Sequence, residues 1–543
     1  MPGNVRMTFS APTWLGLRSL KGGHVIMDFN WRVKLLRDPY IQITPLTPDD
    51  QLELDPSGRA YEFMEKICSS DGSQVTPQSP DTVRYGSPER WLAWHDEFCS
   101  LNYTDRHAPL WKFNQECRAK WGYQGGIPSF ANILPVITEM YSRAHEPRSF
   151  DATIVGLRYI ISLIDDAVAK FGVPQPCVVD RYRTNAALPT MGKKGDYCAE
   201  TVWMSEYRHV VPDLIGTRFQ FQKSRLINQD SINNVRYVEE LLARVRNWLR
   251  KYLPAVFGSW VNPNSPGGIN QLITDSIDHN DVNIEGDYEH MDAGYGRACA
   301  QLILPVYERL LDPGEFNQLA SYVSEVWTQP IYFGSFMLTG EHDLLSGIPI
   351  TQDFETIFSA ALHLGCDIVL GGKRRISLFI GDDSLLTYPR KYARLALEVR
   401  DLIHEESKRT GCYMHPDKTR FDTGDIRYCK RVYYPGAPRC WRNGSYIMPG
   451  AYPPVRTLNT IVLPERSVKP TQLVSAQLQR CDNLYGTPSW HSFVDGLYSR
   501  TRWDLPDPDY FSDTNVMIDW WDRVYGERWT PLSSVTYLYL TKR

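Results

Sequence analysis

The chain has no Cys-x-x-Cys pair, no Cys/His cluster at zinc-finger spacing and no run of eighteen apolar residues. The first two absences exclude the common structural zinc sites, and the third excludes a membrane-spanning helix. Its 11 cysteines are odd in number and scattered from Cys68 to Cys481. They read as free thiols of a reducing compartment, mostly core filler, and not as a disulfide framework. The opening MPGNVRMTFSAPTW lacks the apolar core of a signal peptide. The expectation is a soluble, intracellular protein with no membrane partner. Internal repeats and low-complexity tracts are absent, and so is a strong charge of either sign: 59 Lys+Arg against 63 Asp+Glu leave a net charge of −4. This excludes a uniformly basic packing protein, but not an enzyme with a basic channel inside a neutral shell.

What is present is bulk. At 543 residues with 42% hydrophobic content the chain has room for about two to four domains and a core that needs no staples. The first 180 residues mix short helical and loop patterns with Pro-rich patches such as PQSPDTVRYGSP (77–88), and no function follows from them. Residues 181–251 hold 13 Lys/Arg against 7 Asp/Glu, a local basic excess in an acidic chain. Within them, Val238, Leu241, Leu242, Val245, Trp248 and Leu249 recur at helical spacing. Taken alone, the excess is equally well a solvated helix face.

From 281 to 434 strand-like and helix-like segments alternate. DVNIEGDYEHMD (281–292) reads as a strand running into a turn, and GRACAQLILPVYERLL (296–311) as a helix. LLSGIPITQDFETIFSAALHL (344–364) reads as a Gly-containing loop entering a helix. RRISLFIGDDSLLTY (374–388) reads as a β-hairpin with an acidic tip. ARLALEVRDLIHEESKRTG (393–411) is an amphipathic helix stopped by Gly411. The last hundred residues carry Trp490, Trp503, Trp520, Trp521 and Trp529 and look like a separate packed lobe.

Three segments carry candidate chemistry. In FIGDDSLL (379–386) Asp382 and Asp383 sit side by side, which is costly unless they are solvated or hold cations. Gly and Asp are also ordinary hairpin-turn residues. In GDYEHMD (286–292) Asp287 ends a strand and Asp292 follows five residues later; each could be a surface acid. In SGIPIT (346–351) Gly347 allows close backbone approach, and the Ser346 and Thr351 hydroxyls can bond sugar or phosphate or simply cap a helix. The combination is more specific than its parts. The three occur in one order, 59 and 36 residues apart, each at a strand end or helix start.

This order and these residues resemble motifs A, B and C of the palm of viral RNA-dependent RNA polymerases. QFQKSRLIN (220–228) resembles motif F, TNAALPTMGKKGD (184–196) motif G, CYMHPDKTRF (412–421) motif D and YCKRVYY (428–434) motif E. The phrase SGIPITQDFET and the compact size resemble the picobirnaviruses, double-stranded RNA viruses, with the partitiviruses as the near alternative. The resemblance implies an α+β, right-hand polymerase with an antiparallel palm sheet and helix-rich fingers and thumb. The N-terminal region and fingers would span 1–280, the palm 281–434 with a fingers insertion at about 312–343, and the thumb with its aromatic lobe 435–543.

The resemblance also implies roles. Asp287, Asp382 and Asp383 would hold two Mg²⁺ ions, which Mn²⁺ can replace, and Lys418 would protonate the leaving pyrophosphate. Arg218, Lys223 and Arg225 would contact the triphosphate of the NTP. Asp292, Ser346, Gly347 and Thr351 would surround its sugar, Asp292 facing the 2′-hydroxyl. Lys193 and Lys194 would lie on the template path, and Lys430 and Arg431 would support the primer strand. Motif B departs from the pattern at one position, where Glu355 stands in place of the usual Asn. Implied partners are RNA template and product, NTPs and a viral capsid protein, in host cytoplasm and inside the virion. A palm-type reverse transcriptase, a non-catalytic RNA-binding protein and a metal-dependent phosphohydrolase are the alternatives.

Overall fold

The computed structural model describes residues 38–47, 49, 130–175, 190–196, 223–229, 232–257, 269–332, 336–415, 419–429, 431–437, 439–442, 445–448 and 450, a scatter between 478 and 498, and 535–541. The chain runs β1 (Gln42–Pro45), α1 (Phe130–Arg143), α2 (Asp151–Phe171), β2 (Thr190–Asp196), β3 (Lys223–Gln229) and α3 (Ile232–Tyr252). It continues through α4 (Pro254–Phe257), α5 (Ile269–Asp278), β4 (Val282–Gly286), α6 (Met291–Gly294), α7 (Arg297–Glu308) and α8 (Pro313–Val326). Next come β5 (Ile331–Tyr332), β6 (Phe336–Thr339), α9 (Thr351–Val369), β7 (Ile376–Ile380), β8 (Asp383–Tyr388) and α10 (Ala393–Thr410). Short strands follow: β9 (Arg420–Thr423), β10 (Ile426–Tyr428), β11 (Arg431–Tyr433), β12 (Cys440–Arg442) and β13 (Ser445–Ile447), then α11 (Val535–Thr541). This is an α+β protein.

The central sheet has the order β7-β8-β4-β9, antiparallel throughout. Side chains alternate between its faces. One face carries Val282, Ile284, Phe379, Leu386 and Tyr388 into the large core shared with α9 and α10. The other carries Leu378 and Leu385 into a smaller cluster with Ile269 and Ile273 of α5 and Ile426, Tyr428 and Tyr433 of the β10–β11 hairpin.

The helix α9 is the axis of the large core, with every residue from 353 to 367 buried. It meets α2 almost backbone to backbone. A Cβ on Gly365 would stand 1.8 Å from the Ala152 carbonyl oxygen, and one on Gly156 would stand 1.9 Å from that of Ala361. Only glycines permit that approach. A buried ion pair fixes α3 to α9: Arg246 donates from Nε and Nη2 to the two carboxylate oxygens of Asp353, at 2.8 and 2.6 Å. Its two parallel bonds set the angle between the helices as well as their contact.

A second sheet has the order β1-β6-β5-β2-β3. It joins the basic ribbon β2–β3 to strands β5 and β6, which come from the 312–343 stretch. Among the described residues no helix is long and apolar enough to cross a membrane, and Cys299, Cys366, Cys412, Cys429 and Cys481 are free thiols.

Candidate active site

Strand register brings the acids together. Gly286 of β4 pairs with Ser384 of β8, the last rung of that ladder, so Asp287 leaves the end of β4 where Asp383 begins β8. Neighbouring strands lie about 5 Å apart. A Cβ on Gly286 would point at Ser384 Oγ and His363 Nε2, which marks its side of the sheet as the helix side. Alternation therefore turns Asp383 to the opposite side, the one bordered by the β10–β11 hairpin.

Asp382 occupies the hairpin turn. Ile380 pairs with Asp383, leaving Gly381-Asp382 as a two-residue loop. Gly381 has φ 59° while Asp382 is not in the left-handed region, the φ pattern of a type II′ turn with its usual glycine in first place. The turn is tied to α9: Gly381 N–H donates to the Thr356 hydroxyl at 2.7 Å, and that hydroxyl donates to Gln352 O at 2.6 Å. Glu355 is buried beside it, its Oε2 3.7 Å from where a Gly381 Cβ would stand.

Behind the acids a polar network crosses the core. His363 Nδ1 lies 2.8 Å from Ser359 O, so this nitrogen carries the proton and donates. Nε2 then accepts from the Ser384 hydroxyl at 3.0 Å. Tyr288, next to Asp287, donates to Ser359 Oγ at 3.4 Å. Burial lowers the pKa of His363 to about 4 and keeps the ring neutral. In front, Cys429 sits in the β10–β11 turn with φ 49°. Burial, and next the Asp383 carboxylate, push its thiol well above the usual range, Asp382 adding to the effect. The hairpin thus lies against the acidic tip.

The remaining candidates fall in several places. Asp292 opens α6, its Oδ1 accepting from Ala293 N at 3.0 Å. Gly347 adopts φ 96°, and the Thr351 hydroxyl donates back to Leu345 O at 2.8 Å, closing the loop in which Ser346 is half-buried. Lys193 and Lys194 lie on β2, Lys223 and Arg225 on β3, and the register sets Lys194 directly opposite Arg225. Two segments that the sequence presents separately are thus one ribbon. Arg431 is 4% exposed and donates to Gly450 O at 3.1 Å, so its guanidinium serves to hold the β11 region in place. Arg218, Lys418 and Lys430 lie outside the described residues, as do Trp503, Trp520, Trp521 and Trp529; Trp490 is buried and donates to Cys481 O.

Asp287 follows the end of β4, and Asp382 and Asp383 lie in the β7–β8 turn and at the start of β8, and their hard carboxylate oxygens are donors that suit Mg²⁺. Among the described residues, no three His, Cys, Asp or Glu side chains form a ligand cage by themselves. Mg²⁺ takes carboxylate oxygens together with water and substrate phosphates, so these residues fit the ion in the kind of donor they offer. Residues the sequence did not single out are Thr356, His363, Arg148 and Asp343; nothing in their local sequence marks them.

No protein-family model matches the sequence, and no curated protein matches it. The solved structures do. The RNA-dependent RNA polymerase of a human picobirnavirus is similar with a TM-score of 0.59 at 15% identity, over 92% of this chain and 100% of that one. Its insertion-loop deletion mutant is similar with a TM-score of 0.60 at 15% identity, over the same shares. The likeness is one of fold: the chain has the fold of viral RNA-dependent RNA polymerases. Both of these solved structures are of a picobirnavirus enzyme.

Proposed function

We propose that the chain is an RNA-dependent RNA polymerase that copies and transcribes a viral RNA genome from NTPs, releasing pyrophosphate. The observation that supports this is the β4–β8 register, whose last rung Gly286–Ser384 lies next to Asp287 and Asp383, with Asp382 in the β7–β8 turn, in a chain with a polymerase-like fold. In this reading the β7-β8-β4-β9 sheet with α9 and α10 is the palm, and residues 1–280 with the 312–343 insertion are the fingers. Residues 435–543 are then the thumb. The sharing of one sheet by β2, β3, β5 and β6 supports counting the insertion with the fingers.

Asp287, Asp382 and Asp383 would hold two Mg²⁺ ions, which when bound supply charge to the attacking 3′-hydroxyl oxygen and to the leaving pyrophosphate. The protein's own part is positional. Lys223 and Arg225 of the ribbon, with Arg218, bind the triphosphate; Arg suits this through paired N–H donors. Asp292 and Ser346 face the ribose, Gly347 lets the backbone come close, and Thr351 holds the loop that carries them. Lys418 gives a proton to the departing pyrophosphate. Lys193 and Lys194 lead the template in, and Lys430 supports the primer end, with Arg431 holding the β11 region beside it. Packaging with a capsid protein in the host cytoplasm goes with the same reading.

The test is incorporation by the full chain on single-stranded RNA with Mg²⁺, comparing NTPs with dNTPs and template with none. Template-dependent product from NTPs supports the polymerase. Equal use of dNTPs would indicate a reverse transcriptase, phosphate release without template a phosphohydrolase, and RNA binding with no turnover a binding protein.

A further inference from the structure

We propose that Arg148 is a positioning residue of the nucleotide site, setting the mutual placement of the Asp292 turn, the 346–351 loop and the 411–415 segment; the inference rests on the polymerase reading above. Arg148 lies between α1 and α2, far in sequence from all three. Its Nη1 donates to Gly294 O at 2.6 Å, at the end of the short helix that Asp292 opens, and touches Cys299 Sγ at 3.4 Å. Its Nη2 donates to Arg143 O at 2.9 Å and to both oxygens of Asp343, at 2.9 and 3.0 Å. Asp343 stands three residues before Ser346, and the next residue's N–H, on Leu344, donates to Tyr295 O at 3.0 Å.

The third segment touches the guanidinium through bare backbone. A Cβ on Gly411 would stand 3.2 Å from Arg148 Cζ, and a Cβ on Gly296 would stand 2.6 Å from it. A Cβ on Gly294 would stand 2.3 Å from Gly411 O. Gly296 and Gly411 thus clear the space around one planar cation, and Gly294 lets the first segment pack on Gly411. From Gly411 the chain runs on to pair with the catalytic strand's extension: Glu289 N–H donates to Tyr413 O at 2.8 Å, and His415 N–H to Asp287 O at 2.9 Å. A shift of the guanidinium therefore reaches Asp287, Asp292 and Ser346 together.

The Arg148 side chain is 5% exposed and that of Asp343 0%. A buried ion pair is weak evidence of stability, since well-packed apolar replacements are often neutral or better. What the planar fork provides is geometry, with several donors in fixed directions. An ammonium or a thioether in its place fills the volume without holding the angles.

The experiment uses the full chain with two variants, Arg148→Lys and the apolar pair Arg148→Met with Asp343→Leu. It measures melting temperature, RNA affinity, kcat and KM for NTP, and preference for NTP over dNTP. The expected result is near-wild-type melting and RNA affinity in the apolar pair, with KM raised and NTP preference lowered by about ten- to a hundred-fold, the scale of a misplacement near 1 Å. Arg148→Lys should fall between it and wild type. Unchanged KM and preference in both variants, or a loss confined to kcat, overturns the proposal. Should wild type make no product, the polymerase reading fails separately, and amide hydrogen exchange decides the tie. Faster exchange at 291–294, 344–351 and 411–415 together in Arg148→Lys supports it, and a rise in one segment alone overturns it.

Discussion

The backbone N–H of Gly381 donates to the Thr356 hydroxyl across 2.7 Å, tying the acidic hairpin turn to the central helix. The turn that presents Asp382 is therefore placed by α9 as well as by its own strands. Thr356→Val keeps the shape and removes the acceptor, leaving a buried N–H unmade. The expected cost is about 1–3 kcal/mol of stability, with slower nucleotide incorporation. Thr356→Ser should restore both. Chemical denaturation and single-turnover incorporation check this, and a fully active, fully stable valine variant would show that the tie is idle.

Gly381→Ala isolates backbone strain at the same turn. The added Cβ has room, with Glu355 Oε2 at 3.7 Å its nearest neighbour, so the cost comes from φ 59° alone. About 1–2 kcal/mol is expected for an L-residue held in that region. The melting temperature should fall modestly while incorporation falls far more, because Asp382 is the next residue. A large stability loss would instead mean that the Cβ meets a closer neighbour than Glu355 Oε2.

These elements were legible in the sequence to different degrees. The hairpin at 374–388, the helix stopped by Gly411 and the strand before Asp287 follow from alternation, helical spacing and glycine. These are local signals, and the structure forms β7–β8, α10 and β4 there. The sequence was silent where partners are distant. Arg148 meets Gly294 and Asp343 across 146 and 195 residues, and a single arginine in a loop carries no trace of either. The union of β2–β3 with β5 and β6 was hidden for the same reason. Glu355 departs from its motif in the sequence, and only the fold sets it beside Gly381.

Helix contact tests the core. Gly365→Ala places a methyl 1.8 Å from the Ala152 carbonyl oxygen, which only a separation of α2 and α9 relieves. A cost of about 1–3 kcal/mol is expected, seen as a lowered melting temperature. Ala361, one turn away on the same helix, has its carbonyl equally close to Gly156, so Gly156→Ala should act alike.

His363 predicts a pH dependence with a definite sign. Its folded pKa, about 4, lies below the ordinary value of 6.5 because burial disfavours the charged ring. Between these values the unfolded chain binds the proton and the folded chain does not, so stability is lost as pH falls from 6.5 towards 4. The loss amounts to about 3 kcal/mol at most. Glu285, pushed up to about 7 chiefly by burial, acts in the opposite direction over much of the same range. The quantity to measure is therefore the difference in unfolding free energy between wild type and His363→Gln from pH 4 to 7. That difference should shrink as the pH falls, and a constant difference would contradict the neutral, buried ring.

The account rests most directly on the acids brought together by β4 and β8. The measurement is single-turnover NTP incorporation on an RNA template with Mg²⁺, for wild type, Asp287→Ala and Asp382→Ala, alongside RNA affinity and melting temperature. Both variants should keep the fold and RNA binding and lose incorporation by about a hundred-fold or more, since metal-ion catalysis is worth several kcal/mol. Incorporation by either folded variant at the wild-type rate would contradict the assignment of this site.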